Sequence, residues 1–438
     1  MFTSVDRCIA SIGTFARPMR RLLTILTLLI ITISLTGCIQ AIIADEMLKA
    51  PNPDASSFTI KVKNGQDVST DLPFIFDEAY TIEVGPPSAL LTYFVIEPKP
   101  NYYYIHADFS LHSDKDWLKA VDQNESGPIA TNARTISMSK IQHQLCMAIA
   151  HPAMSEQKES KRIVQPRGTV ILMQGHSGYT RKEPYLWPLA AVLANNGYRV
   201  IMPDLRGQGD STGEQISYGK YEANDLKQLV DDLEYRNLLD GNLAIMGHSY
   251  GSMMSIFAAA NDPRISAIIS ISPHNRMIDP TAAMNIARIF HPDIYDTIES
   301  LGGAELLQTG IREAASRIKV DPNTFSPAQQ LKKIKTPLLL LHGTEDQICP
   351  TYASAEIMAA RPKYTRRILF PTDDHWSLLY RQSLWQSVIT FLDSNLTPDQ
   401  PPRIHAIEGV HYKPMQNVPP LPNIVKANDS RDENLTIN

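Results

Sequence analysis

Residues 246–252 read Met-Gly-His-Ser-Tyr-Gly-Ser, "MGHSYGS", and the fold turns on whether Ser249 is a nucleophile or a small residue in a glycine-flanked bend. The spacing of two glycines around a serine does not decide this alone. It does when a buried strand runs in and a helix runs out. "LAIM" (Leu243–Met246) is such a strand, and "SYGSMMSIFAAA" has the composition of a buried helix. A serine on so sharp a turn takes a strained backbone, and glycines two residues to either side leave room where larger side chains would clash. The turn lifts the hydroxyl clear of the sheet. It also sets it at a helix N-terminus, where the dipole and free N–H groups favour a developing negative charge.

Outward from that turn, short apolar runs alternate with helical patterns from Gly168 onward, which predicts βαβ units and a mainly parallel sheet. The strands are expected at Thr169–Met173 ("TVILM"), Arg199–Met202, Leu243–Met246, Ala267–Ile271, Pro337–Leu341 and Arg367–Phe370. Their near-continuous apolar character suits strands covered on both faces. Helices are expected at Tyr185–Asn196, Tyr221–Leu239, Tyr250–Ala260 and Ser383–Leu396. Residues 274–335 break the alternation. They hold only helical patterns, with Leu307, Ile311, Ala314 and Ile318 at helical spacing, and so read as a helical cap inserted between two strands.

A serine hydroxyl is a weak nucleophile at neutral pH and needs a base to take its proton and an acid to orient that base. Asp346 in "LLLLHGTEDQICP" and His375 in "ILFPTDDHW" each follow a predicted strand. The chain order Ser249, Asp346, His375 is that of an α/β nucleophile-elbow enzyme. Glu345 is the adjacent rival acid; Asp373 and Asp374 read as solvent-facing. The remaining histidines, among them His176, His248, His274, His291 and His342, read as structural.

On these segments, residues 131–395 resemble an α/β-hydrolase, with "GHSYG" as the nucleophile elbow. "DLRGQGDS" (Asp204–Ser211) is similar to a loop of monoacylglycerol lipases, related esterases and serine aminopeptidases. Its residues are expected to buttress neighbouring loops. The resemblance selects Asp346 over Glu345, three residues after Gly343. It also implies an oxyanion hole formed by the backbone N–H groups of Tyr250 and His176, the latter in the turn Gln174–Gly178, where Gln174 departs from the family's usual histidine. The implied enzyme is a serine hydrolase of acyl esters, working without cofactor or metal. A cap-containing aminopeptidase, with Glu299, Glu305 and Glu313 as candidate ammonium partners, and a non-catalytic binding protein are the alternatives. Met284, Ile289 and Phe290, in the cap, are candidates for an acyl pocket.

The rest of the chain bounds these readings. With 438 residues, 43% hydrophobic, 20% charged and a net charge of −5, it is a mildly acidic globular chain with no basic excess to attract nucleic acid. Its first 37 residues read as an export signal: Arg17, Arg20 and Arg21 precede the apolar run Leu22–Leu35. "LTGC" (Leu35–Cys38) resembles the lipobox of bacterial lipoproteins, which implies lipidation at Cys38 and a lipid-anchored protein on the periplasmic or surface face of the cell envelope. Met19 is an alternative start. Removing residues 1–37 takes away four arginines and one aspartate and leaves a net charge of −8. Cys146 and Cys349 would then remain, and the family sheet order argues against a disulfide between them. Residues 44–130, with "FTIKVKN" and "LLTYFVIEP", read as an accessory region. Residues 396–438 read as an extended tail, since 397–438 carry seven of the 31 prolines.

Overall fold

The computed structural model describes residues 39–51, 76–98, 165–176, 186–277, 279–290 and 292–397, with the backbone of short strands at 104–108, 134–138, 145–150 and 410–412. The strands in chain order are β1 (Glu78–Val84), β2 (Ala89–Ile96), β3 (Tyr104–Asp108), β4 (Arg134–Met138), β5 (Leu145–Ala150) and β6 (Thr169–Met173). They continue with β7 (Arg199–Pro203), β8 (Leu243–His248), β9 (Ile265–Ile271), β10 (Leu338–Gly343), β11 (Thr365–Phe370) and β12 (Val410–Tyr412). Eight of them form one sheet in the order β1-β2-β7-β6-β8-β9-β10-β11. From β7 to β11 every neighbouring pair is parallel.

Alternate residues of these strands enter different cores, which is why the runs are apolar at every position. Val170, Leu172, Ala244 and Met246 pack with Trp187, Leu193, Trp385 and Leu392, from helices Trp187–Asn195 and Gln382–Leu396. Ile171, Met173, Leu243 and Ile245 pack with Leu226, Met253, Phe257 and Ile357, from helices Glu222–Tyr235, Tyr250–Asn261 and Tyr352–Ala360. Parallel register then gathers the strand ends. Gly247 pairs with Met173, His248 with Ile271, and Gly343 with Phe370, so the loops after β6, β8, β9, β10 and β11 leave the sheet along one edge.

The boundary drawn from sequence between an accessory region and the core needs correction. β1 and β2 lie within residues 44–130, yet β2 pairs antiparallel with β7 and the hairpin extends the main sheet. An antiparallel hairpin needs only a short turn, here residues 85–88, so it leaves none of the strand–helix alternation by which the parallel part is read. β4 and β5, assigned by sequence to the core, instead join β3 and β12 in a four-stranded sheet of order β12-β3-β5-β4. β12 thus gives the expected tail one strand; beyond it and Leu396 and Thr397, which close the last helix, the tail lies outside the described residues.

Between β9 and β10 stand helices Pro280–Phe290, Pro292–Ser300, Gly303–Arg317 and Pro327–Leu331. Leu307, Ile311, Ala314 and Ile318 are all buried. A helix over residues 39–48 packs on this region: Ile43 lies so close to Gly310 that a Cβ there would sit 2.2 Å from the Ile43 side chain. Arg317 pairs with Asp45, while Met47 and Leu48 accept from Tyr218 Oη (2.9 Å) and Ile216 N (2.9 Å) through their carbonyls.

The loop Asp204–Ser211 is a fixed corner. Asp204 accepts from Asp210 N at 2.8 Å, Ser211 Oγ donates to Asp204 O and accepts from Thr92 N, and Arg206 makes a bidentate pair with Asp225 at 2.7 and 2.8 Å. Both partners of that pair are almost completely buried. Its two parallel hydrogen bonds and the guanidinium charge offset only part of the desolvation, and burial still raises the Asp225 carboxyl to about 6. Arg206→Met is expected to leave Asp225 buried without its counter-charge and to cost about 3–5 kcal/mol, measured as a lower denaturant midpoint. Arg206→Met combined with Asp225→Leu should recover much of that loss.

Candidate active site

The turn after β8 carries the strain that its sequence implies. Ser249 sits at φ 54° and ψ −116°, a conformation that costs an L-residue on the order of 1–3 kcal/mol. It is held by hydrogen bonds from Ser249 N to Ile271 O (2.9 Å) and from Ser252 N to Ser249 O (3.0 Å). A Cβ at Gly247 would lie 2.4 Å from the Gly251 carbonyl, and one at Gly251 would lie 2.4 Å from Gln174 O and 2.7 Å from Met173 O. These are backbone contacts and no rotamer change relieves them. Gly251→Ala is therefore expected to push the turn at 174–176 away from the helix start. The expected cost is roughly 3 kcal/mol or more, read as a fall in the denaturation midpoint together with a loss of turnover.

Asp346 and Glu345 are separated by burial: Asp346 is 6% exposed, while Glu345 is exposed. Asp346 Oδ1 accepts from Ile348 N (2.9 Å) and Cys349 N (2.7 Å), and Oδ2 faces His375 Nδ1 at 2.8 Å. Burial opposes the carboxylate's charge, but the charge of His375 and hydrogen bonds from His342 and His375 outweigh it and hold Asp346 well below the usual carboxylate range. An ionised carboxylate only accepts, so Nδ1 of His375 carries the proton and Nε2 of the neutral ring is left as a base. A Cβ at Gly343 would lie 2.3 Å from Asp373 O, so glycine there lets the loops carrying Asp346 and His375 meet.

The loop bearing His375 is itself fixed from within, which corrects the reading of Asp373 as solvent-facing. Asp373 is 1% exposed, accepts from Arg381 Nε at 2.8 and 2.9 Å and from Ser377 Oγ at 2.9 Å. Its partner lies eight residues on in a different local element, so no short pattern announces it. Asp374 caps the same loop, accepting from Trp376 N and Ser377 N. His248 lies under the imidazole, ring centroids 4.5 Å apart, and its Nε2 donates to the His375 carbonyl at 2.7 Å. Burial, and then the charge of His375, hold His248 neutral.

Tyr250 opens the helix after the serine, and its amide is among the N–H groups that a helix leaves without an intrahelical partner. Its ring is anchored by the phenol donating to Glu222 at 2.9 Å and meets the His176 ring edge-on at 6.0 Å. The two expected oxyanion donors thus come from neighbouring segments. Met284 is half-buried on helix Pro280–Phe290; the side chains of Ile289 and Phe290 lie outside the described residues. That helix reaches the site through Asn285, which donates to Gln347 O beside Asp346 at 2.7 Å. The sequence reading missed one further group. The free thiol of Cys349, three residues past Asp346, is fully buried and lies 3.0 Å from His274 Nε2.

The sequence profile described as "alpha/beta hydrolase fold" matches residues 168–307. With the eight-stranded sheet and the strained serine turn at the carboxyl edge, it settles the architecture. The chain has the α/β-hydrolase fold. Among curated relatives of this α/β hydrolase-fold chain, an uncharacterized peptidase, YuxL, of Bacillus subtilis is 24% identical over 228 residues, 49% of this chain and 30% of that protein. The uncharacterized protein YfhR of Salmonella typhi is 24% identical over 234 residues, 52% of this chain and 73% of the relative. Human protein ABHD12B is 25% identical over 225 residues, 48% and 57% of the two chains. Among solved structures, the Pyrococcus furiosus esterase Pf2001 aligns with TM-score 0.48 and 17% identity, over 73% of this chain and 92% of that one.

Proposed function

We propose that this chain is a serine hydrolase that cleaves carboxylic esters of an acyl group through an acyl-enzyme. The observation that carries this reading is the buried His375–Asp346 pair at 2.8 Å, on the same sheet edge as Ser249 in its strained turn. His375 Nε2 takes the hydroxyl proton as Ser249 attacks the carbonyl, and the N–H groups of Tyr250 and His176 receive the oxyanion. The protonated imidazole, steadied by Asp346, then gives its proton to the leaving alcohol. Water activated by the same nitrogen clears the acyl group and regenerates the enzyme. The direct test is fluorophosphonate labelling with the modified residue mapped by mass spectrometry. Label on Ser249 and saturable turnover of short and medium acyl esters are expected; a chain that takes no label and turns over no ester would sink the reading.

A peptidase is the second reading, since a curated relative is described as one. The cap acids offer it little support. Glu313 is paired with Arg317, and Glu299 lies against the start of the next helix. A panel of aminoacyl amides beside the acyl esters separates the two activities. Replacing residues 280–331 by a short Gly/Ser linker is expected to change the relative rates across that panel, with near-identity arguing for a purely structural cap.

We further propose that Cys38 is a lipidated terminus that holds the protein on the periplasmic or surface face of a bacterial envelope. "LTGC" after an apolar run supports this. Among the described residues no helix is long and apolar enough to cross a membrane. Two or more acyl chains, at about 0.8 kcal/mol per buried methylene, suffice for stable anchoring. Cys38→Ser should release the protein to the soluble fraction or block its processing. Unchanged membrane association with an intact Met1 or Met19 terminus would point to an uncleaved anchor instead.

A further inference from the structure

Glu222 takes no part in the mechanism above, yet it is fully buried beside the nucleophile turn. It opens helix Glu222–Tyr235. Its carboxylate accepts from Ser217 N (2.7 Å), Gly219 N (3.0 Å), the Ser217 hydroxyl and the Tyr250 phenol (2.9 Å). Tyr218, between those two loop residues, is held in the left-handed region at φ 54° and gives its own N–H to the Tyr250 phenol oxygen at 3.2 Å. Three successive backbone N–H groups thus converge on one carboxylate–phenol pair. The Tyr250 ring is buried as well, edge-on to His176 at 6.0 Å and to Tyr218 at 5.7 Å.

We propose that Glu222 is a positioning residue of the oxyanion hole, a role that rests on the serine-hydrolase reading above. Acting through the Tyr250 phenol, it fixes the direction of the Tyr250 N–H and its spacing from the segment that carries His176. A helix leaves its first N–H groups without intrahelical acceptors, so the helix ladder does not aim the Tyr250 amide. The tyrosine side chain can. It has only two torsions between backbone and ring, and its far end is gripped by Glu222 on one side and Tyr218 N on the other.

The chemistry of the pair explains why a carboxylate stands there. A carboxylate only accepts, so the phenol must donate to it and keeps a lone pair for Tyr218 N. That fixes the hydroxyl's orientation and ties the ring tip to the start of one helix and to the loop before it. For packing alone an apolar side chain would serve, without the cost of burying a polar group. Catalysis asks for more. Oxyanion donors act only when they already point to where charge develops, and a small misplacement forfeits much of their effect.

The test sets Glu222→Gln, Tyr250→Phe and the double variant beside the parent. Tyr250→Phe removes the oxygen that Glu222 holds and keeps ring and amide, so it decides the matter should Glu222→Gln fail to fold. Each single variant is expected to lose about 10- to 100-fold in ester kcat, with KM changed by less than about threefold. The double variant should lose little more than the worse single one, since both act through one hydrogen bond. An alkyl trifluoromethyl ketone gives a readout apart from turnover. Ser249 Oγ bonds to its carbonyl carbon, the serine proton passes to His375 and the carbonyl oxygen takes the negative charge, so its binding should weaken in step with kcat/KM. Denaturation midpoints on the same preparations measure the structural cost separately. The role is overturned if the folded variants keep the parent's kcat, if the loss falls on KM alone, if ketone binding is unchanged, or if the two losses multiply in the double variant. A parent that turns over no ester and takes no fluorophosphonate label would overturn the serine-hydrolase reading itself, and the positioning role with it.

Discussion

Ser249→Ala is expected to reduce ester turnover by about 10³-fold or more with the fold retained. The substitution removes one oxygen from a residue whose conformation is set by its backbone: the φ of 54° and the hydrogen bond from Ser249 N to Ile271 O are indifferent to the side chain. Alanine at that φ is strained much as serine is, so stability should stay within about 1 kcal/mol. Residual catalysis would come from the oxyanion donors and substrate binding. The check is paired: initial ester rates and a denaturation curve on the same preparation. Parent-like rates would remove Ser249 from the mechanism and bring forward Ser177, the next serine along the expected oxyanion loop.

Asp346→Asn should cost about 10³–10⁴-fold in turnover, and the hydrogen-bond pattern says why. Oδ1 must still accept from Ile348 N and Cys349 N, so the new amide oxygen is held on that side and the NH₂ is turned towards His375 Nδ1. An NH₂ donates, so the imidazole must accept through Nδ1 and carry its proton on Nε2. It can then no longer take the proton of Ser249. The same change alters stability with a definite sign. Asp346 titrates below its unfolded value of about 4, so its ionisation stabilises the fold fully above that value. The contribution is lost as pH falls through the lower, folded value. The stability gap between parent and Asp346→Asn should therefore be widest near neutrality and narrow at strongly acid pH, as followed by denaturant midpoints from pH 7 downward.

What could be read from sequence divides by the range of the interactions. The elbow was legible because Gly247 and Gly251 answer to contacts within a few residues and one neighbouring strand end. The six strands from β6 to β11 were legible because burial on both faces leaves an apolar run at every position. The hairpin β1–β2 was misassigned because antiparallel addition to an edge needs neither a crossover helix nor a distinctive spacing. Helix Tyr352–Ala360, rich in alanine and short, went unmarked. At the site, the burial of Asp373 depends on Arg381, and the meeting of Cys349 with His274 spans 75 positions along the chain. Contacts of that kind are made by the converging ends of parallel strands, and no local pattern encodes them.

The helix over residues 39–48 has a mechanical consequence. On one side it is seated on helix Gly303–Arg317 through Ile43 and the Asp45–Arg317 pair; on the other it is sewn to residues 216–218, where Tyr218 stacks edge-on against Tyr250 at 5.7 Å. Tension applied at residue 38 therefore enters the cap and the floor of the catalytic edge within two turns of helix. It must shear a packed interface, because no slack linker stands between. A protein held at that point would be moored by its working end, and trimming the chain beyond residue 39 would remove a stay from the cap.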